Sequence, residues 1–230
     1  MSTTPTRFAG VPVFFLEPTD SVRVSLRRYS TEGKRCERRE GHYHDASLVI
    51  IPEAPAAAWG AGPDTTGAAY PPESESSPIS REDPRWPVDC QTCGEPFQSD
   101  DEWQVNADRL YRGAPDGLLY TLRDAPVGAM WDMNWLHGMP LYCGPDGIAL
   151  CVATPGGEWY VDSQASNCTR PSDLSHKCWV RHGDPRDPQG VRTGRPLHVD
   201  KAGDTCAAGA GSIQAGSFHG FLHHGWLTNA

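Results

Sequence analysis

The 24 glycines and 21 prolines spread through these 230 residues limit the fold more than any other feature. In a helix interior glycine costs about 1 kcal/mol and proline about 3 kcal/mol relative to alanine. A chain punctuated this often favours short strands and many turns over long helices. Residues 11–16 form an apolar run that reads as a buried strand. Residues 22–29 set Val22, Val24 and Leu26 against Arg23, Ser25 and Arg27, the period of a strand with one wet, basic face. Residues 48–51 are a third apolar run, closed by Pro52.

Eight prolines then fall within residues 52–87, amid Ala, Gly, Ser, Asp and Glu. Such a segment buries too little surface to offset its ordering entropy, so an irregular loop or linker is expected there. The organisation read from composition is therefore N-terminal strands in 1–52, a Pro-rich connection in 53–87 and a β-rich core in 88–230. Within that core, Ala114-Pro-Asp-Gly117 and Pro155-Gly156-Gly157 are turns between strand-like runs and predict two hairpins. Short strands are also expected at 179–180, 197–199 and 218–222. Pro126 and Gly138 bracket Val127, Met130, Trp131 and Trp135 at helical spacing, which predicts one short helix over 124–138. The His- and aromatic-rich stretch 218–227 reads as sealing a core edge or presenting a binding surface. The fold class is α+β, predominantly β, with short antiparallel strands, one short helix and long irregular loops.

The net charge of −9 argues against wholesale nucleic-acid binding. Residues 1–44 nevertheless hold eight Lys/Arg against five Asp/Glu. Arg23, Arg27, Arg28, Lys34, Arg35, Arg38 and Arg39 form a basic patch that can hold phosphate. The competing reading is a solvated face, because Glu32, Glu37 and Glu40 interleave. No run of 18 apolar residues exists, so no transmembrane helix is expected. No signal peptide is read at the N-terminus.

Eight Cys and nine His carry the strongest chemical signal. A chain expected to stay inside the cell should not hold structural disulfides, and its cysteines often ligate metal. Cys90-Gln-Thr-Cys93-Gly94 is a zinc-knuckle pattern, in which a tight turn aims two sulfurs at one ion. Upstream, Cys36 and His44 complete four ligands, with His42 as competitor for the last place; closure there would pin the ends of the 53–87 excursion. A second set is Cys168, His176, Cys178 and Cys206, with His182 as competitor. A Cys168–Cys178 or Cys178–Cys206 disulfide is the alternative. The cofactor expectation is zinc, one or two ions. Cys143 and Cys151 read as core residues or a redox pair.

A nucleophilic enzyme is the alternative from another class. Cys168 or Cys178 with His176 or His182 and Asp162 would supply thiolate, base and orienting carboxylate. Ser212 with His219 is a second possibility, outside the nucleophile-elbow pattern.

At Gly128-Ala-Met-Trp131, Thr154-Pro-Gly-Gly-Glu-Trp-Tyr-Val-Asp162, Asn167-Cys-Thr169, His176-Lys-Cys-Trp-Val-Arg-His-Gly183 and Thr205-Cys-Ala-Ala-Gly-Ala-Gly-Ser-Ile213 the chain resembles a family of small uncharacterised proteins of actinobacteria and actinobacteriophages. The resemblance covers most of residues 85–230 and, more loosely, the N-terminal third; it carries no catalytic residues over. The 17 Arg beside three Lys fit the same GC-rich origin. The expectation is a zinc-stabilised structural or binding protein, phage-encoded, acting in the virion or in the host cytoplasm. Its expected partner is a protein, with nucleic acid possible through the basic patch.

Overall fold

Alternation along residues 22–26 decides the longest strand: Val22, Val24 and Leu26 are completely buried, while Arg23 and Ser25 between them are not. The computed structural model describes residues 9–30, 35–38, 42–55, 81–99, 101–201, 206 and 211–230, the side chains of 46–55 and 104–106 excepted. Among these residues the strands are β1 (Val11–Pro12), β2 (Phe14–Tyr29), β3 (Asp45–Pro55), β4 (Glu102–Gly113), β5 (Leu119–Tyr120), β6 (Ala129–Asp132), β7 (Leu150–Thr154), β8 (Gly157–Tyr160), β9 (Val180–His182), β10 (His198–Asp200), β11 (Ile213–Ala215), β12 (Phe218–His223) and β13 (Trp226–Asn229). Strands make up 39% of the structure and helix 4%, without a closed barrel, so the fold is the β-dominated one expected.

The chain divides into two compact units, discontinuous in sequence: Met1–Glu17 with Tyr111–Ala230, and Pro18–Leu110. Composition divided it at 52 and 87 instead. Of the Pro-rich stretch, 56–80 lie outside the described residues, and β3 continues through Pro52 to Pro55.

In the 18–110 unit β2 lies between β3 and β4. Register shifts between Val22 and Val24 and between Leu26 and Arg28 interrupt its ladder with β3. Two small loops sit beside these strands, one closed by the Arg35–Tyr43 bridge and one by the Asp89–Pro96 bridge. Trp86 packs edge-on to Trp103, ring centroids 5.9 Å apart.

In the other unit β1, β13, β12 and β11 form one antiparallel sheet. The first residues of β2 run parallel to β6, and β6, β7 and β8 continue antiparallel. β9 and β10 form a separate pair. Both hairpins stand where the turns placed them, Tyr111 opposite Tyr120 and Thr154 opposite Gly157. Leu150, Val152, Leu197, Ile213, Leu222 and Leu227 are fully buried in the core, each contributing roughly 1.5–3 kcal/mol.

The helix expected over 124–138 is not there. Residues 129–132 form β6, flanked by short 3₁₀ turns at Leu122–Asp124 and Asn134–Leu136. Ala129, Met130 and Trp131 are consecutive and all buried, since β6 is covered on both faces. A strand buried on both faces shows no period-two alternation, so its apolar run imitates a helical stripe.

Candidate metal centres

Each unit contains one group of three cysteines and one histidine whose ligand atoms all lie within 4.8 Å of one another. In the 18–110 unit the group is Cys36, His44, Cys90 and Cys93; in the other it is Cys168, His176, Cys178 and Cys206. All eight cysteines are free thiols, so neither disulfide alternative is formed.

The first group is assembled by two tight loops. After Cys90 the chain turns so that the Gly94 N–H donates to the Cys90 carbonyl at 2.7 Å, while the Cys90 N–H donates to the Glu95 carbonyl at 2.8 Å. Gly94 makes this turn at φ +79°, a conformation that costs a side-chain-bearing residue strain. In the other loop the Cys36 N–H donates to the His42 carbonyl at 2.9 Å, and the Ser30 N–H donates to the His44 carbonyl at 3.1 Å. The structure thereby separates the two histidines. His44 is buried with Nδ1 3.2 Å from the Cys93 sulfur, whereas His42 is exposed and lends only its carbonyl. Burial opposes a thiolate at Cys90, but the N–H groups of Cys93 and Thr92, the His44 ring and the Asp45 N–H outweigh it and bring its pKa to about 6. At Cys93 the Glu95 N–H favours the thiolate; burial and the neighbouring Cys90 and Cys36 thiols prevail and raise its pKa.

The second group takes three ligands from the single segment between β8 and β9 and the fourth from beyond β10. Cys178 stands two residues before β9 and Cys206 six residues after β10, while Cys168 and His176 lie in the segment that follows β8. The Cys178 sulfur is 3.5 Å from that of Cys206 and 3.9 Å from His176 Nε2, and the Cys206 sulfur is 3.9 Å from that of Cys168. The Ala165 N–H donates to the Cys178 sulfur at 3.2 Å and the Arg170 N–H to the Cys168 sulfur at 3.3 Å. Gln164 secures the intervening loop: its amide donates to the carbonyls of Arg170, Asp173 and His176 at 3.3, 2.6 and 3.5 Å. Burial pushes the Cys178 thiol up to about 12, with the Cys206 and Cys168 thiols adding to it and the Ala165 N–H opposing. His182, the competitor, is exposed on β9 and outside the group.

Both arrangements fit a tetrahedral metal ion. Thiolates bound at about 2.3 Å around one ion stand about 3.8 Å from each other, close to the 3.5 and 3.9 Å at which the Cys206 sulfur stands from those of Cys178 and Cys168. N–H groups aimed at the sulfurs would support their charge. An ion held by all four groups would keep no open coordination position of the kind catalytic zinc has.

Of the enzyme candidates, Cys168, Cys178 and His176 fall within the second metal group, whereas Asp162, Ser212 and His219 are outside it. Asp162 is buried and turned to Arg181, which holds it at 3.2 Å and also grips Asp146 at 2.7 Å. It accepts the Leu150 N–H at 3.3 Å as well. Ser212 gives its carbonyl to the Trp179 indole at 3.1 Å, and His219 is exposed on β12 opposite Gln214. The basic patch is partly committed: Arg27 pairs with Asp45, and Arg28 reaches the Pro87 carbonyl at 3.3 Å and covers the Phe97 ring. Arg23 is half-buried on β2, Arg35 and Arg38 are exposed, and Lys34 and Arg39 lie outside the described residues.

No protein-family model, curated protein or solved structure matches this chain. No helix among the described residues is long and apolar enough to cross a membrane.

Proposed function

We propose that this is a zinc-stabilised structural or binding protein, each of its compact units closed around its own zinc. The observation that carries the reading is the pairing of one Cys₃His group with each unit, every ligand atom within 4.8 Å of the other three. Three thiolates and an imidazole in tetrahedral spacing are a ligand set suited to zinc. The chemistry supplied is cohesion: binding free energy at such a site is folding free energy. Cys36 and His44 precede the Pro-rich stretch, and Cys90 and Cys93 follow it, so one ion would hold its two ends. In a phage of a GC-rich host, a unit held in this way would serve as a virion component or as a module that engages a host protein.

Cobalt substitution tests the reading. Cobalt(II) added to chelated, reduced protein should develop sulfur-to-metal charge transfer and the intense visible bands of a tetrahedral centre, saturating at two ions per chain and bleached by zinc. Weak octahedral bands, or no uptake by folded protein, would refute it.

A further inference from the structure

Outside both metal centres, β10 and β12 meet through histidines. The rings of His198 on β10 and His223 on β12 are stacked, centroids 4.3 Å apart and planes 20° from parallel. The His224 ring stands 4.7 Å from that of His198, and Phe221 4.9 Å from His223. His198 Nδ1 and His223 Nε2 are both buried without a hydrogen-bond partner among the described residues. Stacked rings cannot aim their in-plane lone pairs at one ion, which excludes a shared metal.

We propose that the His198–His223 stack is an acid-operated latch, holding the β9–β10 hairpin to β12 while both imidazoles are neutral and releasing it when they are protonated. A neutral imidazole has one nitrogen without hydrogen. If His198 keeps its hydrogen on Nε2 and His223 keeps its own on Nδ1, the two buried nitrogens are bare acceptors, the less costly way to leave them. Protonation places an N–H on each with nothing to receive it, and two positive charges in stacking contact.

The groups around the stack mostly add to this. His182 stands opposite His198 in the β9–β10 register and shares its face. His224 follows in the turn, and His219 shares the outward face of β12 with Phe221 and His223. Arg181 is directed elsewhere, to Asp146 and Asp162. Among the described residues Asp200 alone favours the imidazolium: it is 3.7 Å from His198 Nε2 and half exposed. Burial, and next the charges His223 and His224 would carry, hold His198 below the ordinary histidine range despite Asp200. The folded state thus disfavours the charged form. The contribution of the latch is whole above the ordinary histidine pKa of about 6.5 and is lost as pH falls through the lowered folded value.

The test combines histidine NMR titration with amide hydrogen exchange on the zinc-loaded protein from about pH 8 to pH 5. The C2–H resonance of His198 should report an imidazole that is still neutral below the ordinary value. Then, with intrinsic exchange rates corrected for, protection in β10 and β12 should fall about tenfold per pH unit for each ring protonated on release, while β7 keeps its own. The His198→Phe/His223→Phe protein, which keeps two stacked rings without titratable nitrogens, should hold its protection at acid pH. Titration of His198 near the ordinary value with unchanged protection would overturn the latch. So would acid loss of protection in β7 and β12 alike, or identical acid sensitivity in the double variant. Should that variant fail to fold, the wild-type titration decides alone.

Discussion

The two Cys₃His groups use the same ligand types and reach them by different routes. In the 18–110 unit, two loops each closed by local backbone hydrogen bonds deliver the ligands in pairs, Cys36 with His44 and Cys90 with Cys93. In the other unit Cys168, His176 and Cys178 share the one segment between β8 and β9, and Cys206 reaches them from beyond the β9–β10 pair. The first group joins two turn-closed pairs distant in sequence; the second joins three ligands of one segment to a single distant cysteine. N–H groups surround Cys90 and favour its thiolate, whereas burial dominates at Cys178 and disfavours it.

Removing one ligand from each centre is the largest perturbation. Cys90→Ser should abolish zinc in the 18–110 unit and leave the other centre filled; Cys178→Ser should do the reverse. Each loss takes away a binding free energy on the order of 10 kcal/mol. Limited proteolysis with mass mapping should find new cuts in the affected unit alone. Cuts spread over both units from either variant would remove the distinction between the centres.

A smaller effect is expected from Gln164→Ala. Its amide ties together three carbonyls of the loop that carries Cys168 and His176. Loss of such outer support typically lowers metal affinity about 10–100-fold. Competition with a chromophoric chelator should show that weakening at one of the two ions only. Equal weakening of both would contradict an independent assembly.

The third expectation concerns acid. Burial would raise the Asp187 carboxyl, but the Thr193 and Arg192 N–H groups at 2.8 and 2.9 Å prevail and hold it below the usual carboxylate range. Its contribution is therefore present above the ordinary aspartate pKa of about 3.9 and is lost as pH falls through the lowered value. Asp187→Asn should lower the melting temperature at neutral pH, and the gap from wild type should close toward strong acid. A gap independent of pH would mean that charge plays no part.

The smallest effect is at Gly94. A Cβ there meets open space, so Gly94→Ala carries only the strain of φ +79°, about 1 kcal/mol. Zinc affinity at the Cys90 centre should fall roughly fivefold, measured by the same competition. Retention of full affinity would show that this turn does not arrange the site.

How far the sequence could be read follows the same division. Cys90 and Cys93 were legible because a two-residue spacing before glycine has a local geometric meaning. The choice between His42 and His44 was not, since it depends on which residue the Arg35–Tyr43 loop buries. Cys168, Cys178 and Cys206 were legible only as residues at strand ends, and Gln164 gave no signal because its three acceptors are backbone carbonyls. Residues 129–132 were misread as helix because burial on both faces erased the strand period. The His198–His223 stack went unread because the pair is 25 positions apart and only the packing of β10 on β12 brings the rings together.

The central claim is two zinc ions per chain, one in each unit, and native mass spectrometry of the purified protein beside its Cys90→Ser and Cys178→Ser variants tests it most directly. The account predicts two ions on the wild-type chain and one on each variant, with the remaining ion competing differently against chelator in the two. A folded wild-type chain that carries no zinc, or variants that both retain two ions, would contradict it.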